Sequence, residues 1–206
     1  CDPVGQNDDL FTEKLLRLPH SHFCYTPPDT AFSYEMKKTM RDHIVFGSFN
    51  NFFKITDEVL SAWLMIVKRV PGSKLLLKNP QFNKRSRLEE VRERALKIGF
   101  SESMLELRDA SIDYLNEYAD IDIALDTFPY PGGGTTCEAL FMGCPVVTLR
   151  GTRHGARFGY SILKNIGLEE LAGGSVEEYV EIAVGLASDR ELLTYLQKNM
   201  RSMMQK

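Results

Sequence analysis

The sequence predicts an α/β fold, a Rossmann-like doubly wound parallel sheet, and three observations predict it. From His43 onward, short apolar runs alternate with amphipathic helical segments. Breaks and caps fall between them, as at Pro71-Gly72 and Ser175-Val176-Glu177-Glu178. And the apolar run Ile121-Asp122-Ile123-Ala124-Leu125 leads through Asp126-Thr127-Phe128-Pro129-Tyr130-Pro131 into three glycines that open a helix.

A strand at 43–48 leads through a polar loop to a helix from near Thr56, whose Val59, Leu60, Trp63, Leu64, Ile66 and Val67 keep helical spacing. Strand 74–78, Lys-Leu-Leu-Leu-Lys, follows. Ser86-Arg87-Leu88-Glu89 reads as a capping box for a helix that stops at Gly99. A strand at 104–108, a short helix from Ser111, strand 121–126, the helix from Thr135 and strand 145–149 complete the parallel set. Two further helices are capped by Ser175 and by Asp189, the last with an apolar face through Leu192, Leu193, Leu196 and Met200.

Residues 1–42, with Pro3, Pro19, Pro27 and Pro28 and little periodicity, read as the remnant of a preceding lobe and a connector; 43–206 is the folded lobe. The chain opens on Cys1 and reads as a piece of something longer. With 206 residues, 43% of them hydrophobic, it holds one good core. A net charge of −3 gives no broad footprint for nucleic acid, so any anion site is local. No apolar run approaches the roughly 20 residues of a membrane span and no signal peptide opens the chain, so a cytoplasmic protein is expected. Cys1, Cys24, Cys137 and Cys144 have no metal-ligand spacing, and the His20-x-His22 pair lacks a third ligand, so no metal or other cofactor is expected.

Ligands of doubly wound sheets sit beyond the carboxyl ends of the strands, which directs attention to loops 49–54, 79–85, 109–113, 127–134 and 150–157. Gly132, Gly133 and Gly134, lacking a Cβ, permit positive φ and a close approach, and the amides opening the next helix, at Thr135 and Thr136, face an anion. Taken alone, the glycines also fit a plain flexible turn. Lys54 is placed to meet phosphate, or is a solvated lysine; Lys78 is a second cation at the same edge, or a strand end turned to water. Loop 150–157 gathers Arg150, Arg153, His154 and Arg157, which suit anion capture, a contact with another domain, or water. Asp126 is expected to bond loop N–H groups. Glu138 either takes ribose hydroxyls or complements the helix dipole. There is no Walker lysine, H-E-x-x-H or Ser-His-Asp order.

In order, Phe46-Gly47-Ser48-Phe49-Asn50-Asn51-Phe52-Phe53-Lys54-Ile55-Thr56, the block from Leu125 through Thr135-Thr136-Cys137-Glu138 to Leu149, and Arg153-His154-Gly155-Ala156-Arg157 resemble the protein O-GlcNAc transferase and SPINDLY family. The resemblance implies the carboxyl-terminal, donor-binding lobe of a two-lobed GT-B glycosyltransferase, inverting and metal-independent. An amino-terminal lobe and tetratricopeptide repeats would precede it, and a protein Ser or Thr would be the acceptor. It assigns the diphosphate to Lys54, with Asn51 and the Thr135-Thr136 pair beside it, and base stacking to Tyr114, where the family often has histidine. Gly134 and Glu138 depart from the animal O-GlcNAc enzymes, so the implied donor is UDP-GlcNAc with GDP-fucose as the alternative. The fragment alone would bind donor without turnover. Rival readings are a nucleotide-sugar epimerase of the same architecture and a non-catalytic nucleotide-binding interaction module.

Overall fold

A computed structural model describes residues 3–21, 23–34, 38–39 and 41–205. Among these residues six strands form the sheet: β1 Val45–Ser48, β2 Lys74–Lys78, β3 Leu105–Arg108, β4 Ile123–Leu125, β5 Val146–Leu149 and β6 Ala172–Gly173. Their order is β3-β2-β1-β4-β5-β6 and each neighbouring pair is parallel. The order reverses between β1 and β4, which is the switch point of a doubly wound sheet. Leu75, Leu76 and Leu77 of β2 are each fully buried, as a strand covered on both faces requires.

Among the described residues seven α-helices accompany them: α1 Asp29–Ser33, α2 Asp57–Arg69, α3 Arg85–Ile98, α4 Gly134–Phe141, α5 Phe158–Asn165, α6 Val176–Ser188 and α7 Arg190–Met204. The row α3, α2, α6 packs side by side, as does the row α5, α4, α7, and α6 meets α7. The sequence-derived caps at Ser175 and Asp189 hold, and Thr56 caps α2. Thr56 accepts from the Val59 amide at 3.3 Å, Ser175 from Glu178 at 3.2 Å and Asp189 from Leu192 at 2.9 Å. Gly99 ends α3 at φ +119°, a left-handed position that favours glycine.

The structure corrects several expectations. Helix α3 begins at Arg85, with Lys84 at its N-cap and no side-chain cap, so Ser86 to Glu89 is not its capping box. A 3-10 turn at Pro80–Asn83, capped by Asn79, delivers the chain already coiled. In place of a helix from Ser111 there is a turn and then a 3-10 segment, Asn116–Asp120. Three residues per turn bring Glu117 and Asp120 onto one face, where both accept from Arg108, at 3.3 and 2.6 Å. Helix α5 and strand β6 lack any clear sequence signal; β6 is only Ala-Gly.

On α7, Leu193, Leu196 and Met200 are buried but Leu192 is 44% exposed. The helix packs on this lobe: Arg201 donates to the Phe141 carbonyl of α4 (3.0 Å) and to the Ala31 carbonyl of α1 (3.2 Å). His22 of the H-x-H pair and Cys1 lie outside the described residues. Among those described, no group of three His, Cys, Asp or Glu side chains is placed to hold a metal, and no helix is long and apolar enough to cross a membrane.

Candidate nucleotide site at the sheet switch point

The loops after β1 and β4 meet where the strand order reverses, and a buried carboxylate joins them. Asp126 is 1% exposed. Its Oδ1 accepts from the amides of Gly132 (2.6 Å) and Thr127 (2.9 Å) and from Asn50 Nδ2 (3.2 Å); its Oδ2 accepts from Thr148 Oγ1 (2.8 Å). Burial pushes its pKa up, opposed by these bonds and by the charge of Lys54. The expected role of Asp126 in bonding loop amides is therefore observed. Its carbonyl accepts from Tyr179 Oη at 3.0 Å, and that hydroxyl in turn accepts from Trp63 Nε1 at 2.8 Å, so the turn is tied through the core to α2 and α6.

The glycine turn is shaped by space rather than by left-handed backbone: none of Gly132, Gly133 and Gly134 has positive φ, contrary to expectation. A Cβ on Gly132 would come 2.5 Å from Thr136 Oγ1, and one on Gly133 would come 2.7 Å from the Phe23 ring. Gly134, the first residue of α4, has nothing within 4 Å of that position. Cys137 donates to the Gly133 carbonyl at 3.0 Å, the first backbone bond of α4, and the amides of Gly134, Thr135 and Thr136 precede any intrahelical acceptor. They and the dipole's positive end make an anion seat.

Lys54 reaches this seat. Its Nζ donates to the Pro131 carbonyl (2.9 Å) and lies 4.1 Å from the Tyr130 ring centroid. Burial lowers its pKa, with Asp126 acting against the shift. Asn51 is exposed and caps the 3-10 turn that carries Lys54, its Oδ1 accepting from the Phe53 amide at 3.0 Å.

Beside the seat opens a pocket of about 230 Å³ lined by Phe49, Lys78, Pro80, Ala110, Ser111, Tyr114, Thr135 and Glu138. Four of the residues singled out from the sequence thus share one wall. Tyr114 Oη donates to Glu138 Oε1 at 2.8 Å. Burial raises the Glu138 carboxyl against that bond, and burial with the nearby carboxylate pushes the Tyr114 phenol up to about 12. Lys78 is neither a free cation nor a solvated strand end: it is 5% exposed, pairs with Glu117 at 2.9 Å and donates to the Asp109 carbonyl. Its charge is balanced inside the protein, so it braces the pocket wall.

The basic loop after β5 is not brought to this pocket. His154 packs edge-on against Phe158 (5.3 Å) and Phe11 (6.4 Å). Arg157, 8% exposed, donates to the Gly151 carbonyl at 3.1 Å and lies 5.3 Å from the Tyr160 centroid. The cavities that these two residues line contain none of Lys54, Tyr114, Thr135 or Glu138. Conversely, sequence reasoning missed Asn79, Thr148 and Tyr179, and gave Asn50, one of two amides at the binding edge, no role. All four are buried polar side chains, and their only sequence signal is a polar residue at or near a strand end or on an apolar helix face.

The profile of glycosyl transferase family 41 matches residues 30–206. A tomato (Solanum lycopersicum) protein named probable UDP-N-acetylglucosamine-peptide N-acetylglucosaminyltransferase SPINDLY is 41% identical over 94% of this chain and 21% of its own length. A Caenorhabditis elegans UDP-N-acetylglucosamine-peptide N-acetylglucosaminyltransferase is 32% identical over 78% of this chain and 14% of its own. The chain thus spans about a fifth of the tomato relative it matches. Among solved structures, a mutant of the Thermobaculum terrenum O-GlcNAc transferase superposes with a TM-score of 0.86 at 36% identity, covering 96% of this chain and 38% of that one. The Anabaena protein HepE, solved with UDP and glucose, shares the fold at a TM-score of 0.54 and 16% identity, covering 79% of this chain and 44% of its own.

Proposed function

The chain belongs to glycosyl transferase family 41 and its fold is that of a GT-B lobe; on that premise we propose that it is the donor-binding lobe of an inverting, metal-independent transferase. The enzyme moves GlcNAc from a nucleotide-sugar to protein Ser or Thr hydroxyls in the cytoplasm. The observation that carries this reading is the convergence of Lys54 with the open amides of α4 over a turn held by Asp126.

The donor's diphosphate rests on the amides of Thr135 and Thr136, with Lys54 exchanging the Pro131 carbonyl for a phosphate oxygen. As the bond from the anomeric carbon to the leaving oxygen lengthens, negative charge grows on the diphosphate, and these fixed donors stabilise it. Removing one such group typically costs about 3–4 kcal/mol in the transition state. An acceptor hydroxyl attacks from the opposite face of the sugar, giving inversion. Tyr114 and Glu138, bonded to each other, serve the base and the ribose, Asn51 completes the rim, and Lys78, paired with Glu117, braces the pocket wall. The acceptor side belongs to a preceding lobe, itself preceded by tetratricopeptide repeats, so this chain alone binds donor without turning it over.

GlcNAc is favoured by the names of the relatives, UDP-N-acetylglucosamine-peptide N-acetylglucosaminyltransferases. GDP-fucose is the second reading, because Tyr114 stands where the family often has histidine. Titration calorimetry with UDP, GDP, UDP-GlcNAc and GDP-fucose separates them. Tighter binding of the UDP pair supports GlcNAc transfer and tighter binding of the GDP pair supports fucose, while heat from none of the four overturns the donor-site reading.

A further inference from the structure

Asn50 is 5% exposed and sits just past β1, across the switch point from the glycine turn. Its side-chain amide is used at both ends. Nδ2 donates to Asp126 Oδ1 at 3.2 Å and to Ser48 Oγ at 3.4 Å, while Oδ1 accepts from Thr135 Oγ1 at 2.9 Å. Its backbone carbonyl is fixed as well, accepting from Asn79 Nδ2 at 3.0 Å, and Asn79 is 2% exposed. The Asp126 oxygen that Asn50 holds is the one that accepts the Gly132 amide at 2.6 Å.

One planar amide therefore grips the turn twice, at the carboxylate that organises its start and at the first-turn hydroxyl of the helix that ends it. Few side chains can do both. Aspartate has the shape but cannot donate to Asp126, and it would set two carboxylates side by side; leucine has the bulk and neither polar end. The cavity beneath the turn is about 10 Å³, room for one water at most, so shortening Asn50 replaces a fixed amide with mobile water.

We infer that Asn50 is a positioning residue for the diphosphate: it holds Asp126 and Thr135 in register across the switch point and so sets the direction of the amides at Thr135 and Thr136. The inference rests on the donor-site reading for its ligand but not for its geometry. Misplacing binding groups by about 1 Å can cost on the order of a hundredfold. Of the residues that line the base pocket, Thr135 bonds the Asn50 side chain, whereas Tyr114 and Glu138 bond each other.

The test compares Asn50→Ala, Thr135→Val, Thr135→Ser and the double variant Asn50→Ala/Thr135→Val. Affinities for UDP, GDP, uridine and guanosine are measured beside amide hydrogen exchange at Gly132. Asn50→Ala is expected to weaken the preferred nucleoside diphosphate at least ~10-fold while leaving the parent nucleoside within about twofold, since only the phosphate seat has moved. Gly132 exchange accelerates by a similar factor as its acceptor loosens. Thr135→Ser, which keeps the hydroxyl, is expected to lose less than Thr135→Val, and the double variant is no worse than the poorer single one, because both cut the same link.

Unchanged Gly132 exchange in Asn50→Ala overturns the inference, and so does an equal loss for nucleoside and diphosphate, which would mark general destabilisation. If the parent binds neither UDP nor GDP, the donor reading fails while Gly132 exchange still decides the role of Asn50. Should Asn50→Ala not fold, Thr135→Val against Thr135→Ser carries the same test through the other arm.

Discussion

The turn after β4 and the loop after β5 leave adjacent strands at the same edge of the sheet, yet they are built oppositely. The first carries one lysine's worth of help and almost no charge of its own; it is a scaffold of buried polar bonds around Asp126 that leaves backbone amides pointing outward. The second is rich in cations, but Arg150, Arg157 and Lys164 gather around the ring of Tyr160 at 5.2, 5.3 and 5.9 Å. Arg157 also bonds its own loop. Cations close together in a sequence can thus be engaged within the protein, whereas a rigid backbone whose own acceptors are already assigned keeps its donors for a ligand.

Four experiments break or sharpen that contrast. Lys54→Ala should have the largest effect, weakening nucleoside diphosphate binding by roughly 10- to 100-fold, the value of about 1.5–3 kcal/mol for a hydrogen bond to a charged group; calorimetry reads it. Next, Gly132→Ala should cost about 1–3 kcal/mol in urea unfolding, because its methyl collides with Thr135 and Thr136, whereas Gly134→Ala, with open space around it, should be neutral or slightly stabilising. Equal behaviour of the two would mean that the turn is not close-packed.

The third effect is smaller and depends on pH. Burial holds the Glu138 carboxyl above its ordinary range, so its folded state favours the neutral acid. Stability from that group is complete below the unfolded-state value, near 4.3, and is lost as pH rises through the folded one. Glu138→Gln should therefore be slightly more stable than the parent at neutral pH, with the gain closing below about pH 4; urea titrations at several pH values check the sign. The smallest effect is expected on the other loop, where His154→Ala and Arg157→Lys should leave nucleotide affinity within about twofold. A loss comparable to that of Lys54→Ala would erase the contrast.

Much of the frame was legible beforehand, for physical reasons. Strands such as Leu75-Leu76-Leu77 must be covered on both faces, and caps such as Ser175 and Asp189 satisfy the same orphan amides in any fold. Lys54, Tyr114, Thr135 and Glu138 were legible as candidates, and the structure groups the last three around one pocket. The bonds of Asn50 were not, because its two partners, Asp126 and Thr135, lie 76 and 85 residues away. Lys78 was misjudged in the same way: its partner Glu117 sits in a 3-10 segment whose spacing the helical pattern did not anticipate. Left-handed glycines were expected at 132–134 because glycine permits them, but what the turn needs there is absence of volume.

The chain contains one tryptophan. Trp63 is fully buried, and its indole N–H ends the chain of bonds that runs through Tyr179 to the carbonyl of Asp126. Its emission therefore comes from a single, dry environment wired to the glycine turn. Any ligand that tightens or shifts that turn should alter the colour or intensity of the protein's own fluorescence. The molecule carries a built-in optical reporter, and a cuvette titration without label or mutation can follow occupancy of the site.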